Sequence, residues 1–392
     1  MLEKQTKWYT YSTDEETGRV LPSVTDFDSL PYEEKAIWYR PFCTEEEITR
    51  ILNIRTAEDY LLRLAADDIA DNSRQLRSCV FLRRLNKEEW SLSAYLHSEC
   101  FNVYKKALSP EDLQTVEGIA TGFAFTPEAN GYSINGDLGR MILLSSSMRY
   151  FSSFSYLSIA DFEEEVPYQV RINSMRIAIR VLFQTESLDF EMDPRGIIPE
   201  EIMKKMEDVY YLQSVFLAGH EYAHFLLGHL KDDNKKEFSY AKRAFHTADD
   251  PKRMYEYNVA QKDEFAADLD ALSRPNFDDE LYSSYYESVM LLFAALTIAE
   301  SVKEYAFPSS GYQSHPSARA RYMHLLAEGK KPKDYDVEEF AKRLPYIMDK
   351  LSSIMCEDFA LNPDTYEMYG SVYLAAPNTA WRGRELIDRK DY

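Results

Sequence analysis

The chain has 392 residues, with 66 acidic against 45 basic side chains and a net charge of −21 at neutral pH. That balance argues against nucleic acid or an anionic membrane as a partner, and mildly favours basic or neutral substrate segments. The first residues lack the apolar core of a signal peptide. The most apolar stretch, residues 289–299, is too short for a membrane helix and fits a buried one. Cys43, Cys79, Cys100 and Cys356 show neither close pairing nor zinc-finger spacing, so they read as reduced thiols of a cytoplasmic protein.

Taken in chain order, residues up to about 110 read as helical after an irregular start. Thr44-Glu45-Glu46-Glu47 matches a capping box, and Ser109-Pro110-Glu111-Asp112 opens another helix. Residues 122–126, 131–136 and 140–144 alternate like short strands. A sheet edge over residues 130–134 would suit strand addition by an extended peptide, although a purely structural hairpin fits equally. Pro199-Glu200-Glu201 then starts a long apolar helix, with acids at the positive end of its dipole, and Gly228 is its natural stop. Residues 261–272 form a further helix with small residues at its middle. After residue 330 the pattern predicts one more helix over residues 337–355 and a turn-rich end around Asn362-Pro363-Asp364 and Trp381-Arg382-Gly383-Arg384. The fold class expected is α+β, mostly helical, with a small sheet preceding the long helix.

Inside that helix lies His220-Glu221-Tyr222-Ala223-His224, the HExxH pattern of zinc peptidases. With seven histidines in 392 residues, chance would give the pattern in roughly one chain in a hundred. Residues four apart share a helix face, so both imidazoles reach one metal ion. Glu221 stands beside the ligand stripe, where a general base must be. On an apolar helix these side chains would be costly to bury without a metal or partners.

A third ligand is still needed. An HExxHxxGxxH enzyme would carry glycine at 227 and histidine at 230, but this chain has Leu227 and Leu230. His229 is displaced by one residue and reads as a helix-end histidine interacting with the dipole. Glu264 is the candidate ligand, with Asp268 one turn later placed to orient the outer nitrogen of a ligating histidine. Asp263 and Asp270 read as an acidic solvated face. The segment 231–260 between the motifs is charged and tyrosine-bearing, and reads either as a rim around the site or as a solvated helical insertion.

HEYAHFLLGHL, then DEFAADLDAL, then SHPSARARYMHLL resemble the glutamate-ligand zinc peptidases, the gluzincins. The pattern is similar to the Lit-type phage-exclusion peptidases and to the soluble cores of the prenyl-protein and heat-shock membrane proteases. It covers roughly residues 120–326, without the hydrophobic spans of the membrane enzymes. The resemblance implies a zincin-like core over residues 111–329, flanked by a helical N-terminal region, 1–110, and a helical C-terminal extension, 330–392. It implies one Zn²⁺ per chain on His220, His224 and Glu264, with Glu221 as general base in an endopeptidase acting on a protein or peptide substrate. A His-Pro followed by arginine is matched by His315-Pro316 and Arg319 or Arg321, which makes His315 the candidate oxyanion donor. Tyr255, Tyr257 and His246 are weaker candidates, and either arginine could simply pair with the acidic core. Phage defence or a stress response is the biological setting the resemblance suggests. Another zinc hydrolase, or a catalytically silent zinc-bearing module that binds a protein, stays open on these residues alone.

Overall fold

A computed structural model of the chain describes residues 9–13, 20–24, 30–86, 89–126, 130–160, 166–231, 235–237, 254–257, 259–308, 316–333, 337–374 and 389–390. It opens with strands β1 (Tyr9–Thr13) and β2 (Val20–Val24), paired antiparallel. Seven helices follow: α1 (Tyr32–Tyr39), α2 (Glu45–Leu52), α3 (Ala57–Asp71), α4 (Ser73–Asn86), α5 (Leu92–Tyr95), α6 (Cys100–Lys106) and α7 (Pro110–Val116). Next come β3 (Ala120–Ala124), β4 (Gly131–Gly136) and β5 (Gly139–Ser145), then α8 (Ser147–Ile159), α9 (Tyr168–Leu182) and the long α10 (Glu200–Leu226). Two short strands, β6 (Lys235–Glu237) and β7 (Met254–Tyr257), precede α11 (Gln261–Ser273), α12 (Asp279–Ala306) and α13 (Ala318–Glu328). The chain closes with α14 (Val337–Leu361), α15 (Pro363–Glu367), β8 (Gly370–Ser371) and β9 (Arg389–Lys390). The fold is α+β and mostly helical.

Local chemistry sets several of these boundaries. Thr44 caps α2 through a capping box with Glu47, and Ser109 accepts from the Asp112 amide at the start of α7. Pro199 precedes α10, whose first turn carries Glu200 and Glu201. At its other end Gly228 takes φ +66°, the left-handed conformation that ends helices at little cost without a Cβ.

The sheet places the site. Its order is β3-β5-β4-β7-β6, with β3 parallel to β5 and the remaining pairs antiparallel. Along β5 the side chains alternate between faces: Met141 and Leu143 pack with Leu61 and Leu64 of α3, whereas Ile142 and Leu144 join the main core. In β4 the same alternation turns Ile134 toward α3 and Ser133 toward α10. The edge expected over residues 130–134 keeps one open side among the described residues: residues 131–134 pair with β5, and β7 joins β4 only at Asn135 and Gly136. The segment between the two motifs adds β7, which pairs with β4 at Asn135 and Gly136, and β6 beyond it. The described parts of that segment are therefore strands, where a helical insertion had been one of the two readings.

One apolar cluster runs from Ala36 to Leu374 and draws members from all three stretches distinguished in the sequence. α12 is its spine. Among the described residues it is the one helix long and apolar enough to cross a membrane by length and composition, but 78% of its most apolar window is buried inside the molecule. The apolar stretch 289–299 is the middle of a 28-residue helix, because tyrosine, serine and alanine turns extend it in both directions. All four cysteines are free thiols, with Cys43, Cys79 and Cys100 buried.

Candidate metal centre

α10 turns His220 and His224 toward the first turn of α11. Their Nε2 atoms are 3.1 Å apart. Glu264 reaches between them, with Oε2 at 3.5 Å from His220 Nε2 and Oε1 at 3.7 Å from His224 Nε2. All three side chains are buried, and their donor atoms lie within 4.8 Å of one another.

The donor set fits a divalent metal. Ligands about 2.1 Å from a tetrahedral ion stand about 3.4 Å apart; the two Nε2 atoms are 3.1 Å apart, and each meets a different Glu264 oxygen, at 3.5 and 3.7 Å. Two imidazole nitrogens and a carboxylate present lone pairs to one another, which in a buried place is unfavourable unless a proton or a cation lies among them. Two nitrogens and one oxygen are ligands that suit zinc.

Charge around the group is asymmetric. Burial works against a protonated His220, but the carboxylates of Asp268 and Glu264 overcome it and push its pKa up. Burial together with the neighbouring His220 pushes the His224 pKa down.

Asp268 sits one turn along α11 from Glu264, with Oδ1 2.9 Å from His220 Nδ1. It is wholly buried, which by itself would raise its pKa. Arg321 of α13 reverses this by donating two hydrogen bonds, from Nε and Nη2, at 2.6 Å each. The ionised Asp268 attracts a proton to Nδ1 through its charge at 2.9 Å rather than through an aligned hydrogen bond, and Nε2 faces Glu264. Of the two arginines weighed from the sequence, Arg321 is the one that reaches the site. Arg319, two residues earlier and on another face of α13, pairs with Asp349 at the surface.

Glu221 is buried on the side of α10 that faces the sheet. Ser133 donates to its Oε2 at 2.7 Å, and the Ser133 hydroxyl also lies 3.1 Å from the Glu221 carbonyl oxygen. The other carboxylate oxygen packs onto Gly131, where an added Cβ would stand 2.4 Å from it. A glycine and a serine two residues apart thus seat the carboxylate against β4. The period of two had placed both on one face of a strand, but nothing in the sequence said which helix that face would meet.

His229 departs from its sequence reading. The left-handed turn at Gly228 folds the chain back, so that the His229 amide donates to the His224 carbonyl at 3.0 Å. Its ring is buried and its Nδ1 lies 3.1 Å from Nδ1 of His224. It touches the ligand rather than the solvated end of the helix. Tyr255 and Tyr257 are on β7, half-buried, with Lys235 Nζ 5.0 Å from the Tyr255 ring centroid. His315 and His246 lie outside the described residues.

Compared with family profiles, curated proteins and solved structures, the chain finds no match. The functional reading therefore rests on the chemistry of the site.

Proposed function

We propose that the protein is a zinc-dependent endopeptidase that hydrolyses peptide bonds of an intracellular protein, with Glu221 as general base. The observation that carries this reading is the buried His220–His224–Glu264 group of metal-ligand spacing, with the Glu221 carboxylate, one residue along α10 from His220, seated by Ser133 and Gly131. A zinc ion held by those three residues would supply Lewis-acid stabilisation of negative charge on the substrate carbonyl oxygen. The chain's own side chains handle the protons and the orientation. Glu221 takes a proton from the attacking water as the new C–O bond forms, and delivers it to the amide nitrogen as the C–N bond breaks. Asp268, held ionised by Arg321, keeps the His220 ring in its ligating tautomer. The net charge of −21 favours neutral or basic substrate segments.

A gluzincin-type relationship, a zincin-like core and His315 as oxyanion donor belong to this proposal. The test is metal analysis joined to a peptide-library cleavage assay. About one zinc per chain is expected, with cleavage that Glu221→Gln lowers by about 10²–10⁴-fold while zinc content stays at the parent level. Zinc-loaded parent protein that cleaves nothing, while Glu221→Gln leaves partner binding unchanged, would favour a zinc-bearing binding module.

A further inference from the structure

The two ligating histidines are supported from behind by different chemistry. His220 has a carboxylate, Asp268, with an arginine beyond it. His224 has a second imidazole, and the nearest carboxylate, Asp263 Oδ1, stands 4.0 Å beyond that ring at His229 Nε2.

We infer that His229 is a positioning residue for the metal centre, accepting the Nδ1 proton of His224 and so holding that ring with Nε2 toward the metal position. The inference rests on the metal site proposed above. His224 Nε2 faces Glu264 and His220, so as a ligand it must present a lone pair there, and a neutral ring then carries its hydrogen on Nδ1. That nitrogen lies 3.1 Å from His229 Nδ1, which must therefore be the acceptor. A neutral His229 in turn carries its hydrogen on Nε2, on the side of Asp263. Each tautomer is forced by the one before it, and all of them agree with the positions of the acidic groups.

The backbone is built for this contact. Gly228 at φ +66° and the hydrogen bond from the His229 amide to the His224 carbonyl fix where the second ring starts. The ring centroids are 5.3 Å apart with planes at 63°, so the rings are not stacked, and their Nδ1 atoms meet at 3.1 Å. A histidine that merely closed a helix would offer its ring to the last carbonyls in water, whereas His229 is buried. An imidazole acceptor also has a chemical consequence. It orients His224 without adding a second buried negative charge behind the ligands, which keeps the centre more electrophilic than two carboxylates would.

The test compares zinc affinity in the full-length parent, His229→Leu and His229→Asn by competition with a chromophoric chelator. The thermal unfolding of each metal-free protein is recorded alongside. Asparagine can return an acceptor oxygen near the position of Nδ1, and leucine fills the space without one. His229→Leu is expected to bind zinc about 10–100-fold more weakly, and His229→Asn within about threefold of the parent. Long-range proton–nitrogen spectra of zinc-loaded protein should show the His224 Nδ1 proton hydrogen-bonded in the parent and the Asn variant, and exchanging faster in the Leu variant. A Leu variant that binds zinc as tightly as a zinc-binding parent would overturn the inference alone. So would a Leu and an Asn variant that lose affinity equally in step with metal-free stability, since that marks a packing role. A parent that binds no zinc would overturn the metal-site reading and this inference with it.

Discussion

At the residue scale, Asp268 and Arg321 show how a buried charge is made useful. Asp268 is wholly buried yet stays ionised because Arg321 donates to both of its oxygens. Removing the arginine leaves an uncompensated carboxylate in the core, a change that typically costs about 3–5 kcal/mol. Arg321→Met should therefore lower stability by about that amount, measured by denaturant unfolding. The pairs His220/His224 and Glu264/Asp268 were legible in the sequence because residues four apart on a helix share a face. Ser133 and the choice between Arg319 and Arg321 were not, because they depend on which strand and which helix meet in space. His229 was misread for a similar reason: the argument from helix faces ended at Gly228, where the chain turns back.

Among the elements, α10 is held to its neighbours by unusually close approach. The Tyr104 ring of α6 stacks on Tyr222 at 5.9 Å, and Gly219 makes room for it. A Cβ at position 219 would lie 2.3 Å from the Tyr104 ring, and that ring is fully buried with nowhere to withdraw. Gly219→Ala should therefore destabilise the protein by about 1–3 kcal/mol through overpacking, even though alanine is the better helix former. A variant as stable as the parent in urea would show that α6 moves freely against α10. The start of α7, the end of α10 and the places of β3, β4 and β5 followed from sequence because caps, glycines and the period of two are local signals. The short strands β1, β2, β6 and β7 carried no such mark, and α14 runs to Leu361, past the expected end at 355. The sheet order did not follow either, since β7 pairs with β4 from more than a hundred residues away and brings no local mark of that register.

Across the whole molecule, the C-terminal part is fastened to α9 by polar groups. Arg176 pairs with Asp358 of α14, Arg180 donates to the Met368 and Gly370 carbonyls, and Asn173 donates to those of Tyr373 and Leu374. Burial by itself would raise the Asp358 pKa, but hydrogen bonds from Arg176 and Tyr366 bring it below the usual carboxylate range. A folded pKa below the unfolded one adds stability that is present above about pH 4 and lost as pH falls through the lower value. Asp358→Asn should thus be less stable than the parent at pH 7, with the difference in unfolding free energy shrinking below about pH 4. A gap that stays constant down to pH 3 would assign the effect to packing.

The burial of α12 bears on how the chain must be made. Its apolar surface is covered by α10 and α8, which precede it, but also by α13 and α14, which are synthesised later. Until α14 has left the ribosome, one side of a long apolar helix has no intramolecular cover. During that interval chaperones and insertion machinery that scan for greasy segments would meet it first. α14 is in this sense a lid on a folding intermediate, and chains cut short before it are expected to collect in inclusion bodies.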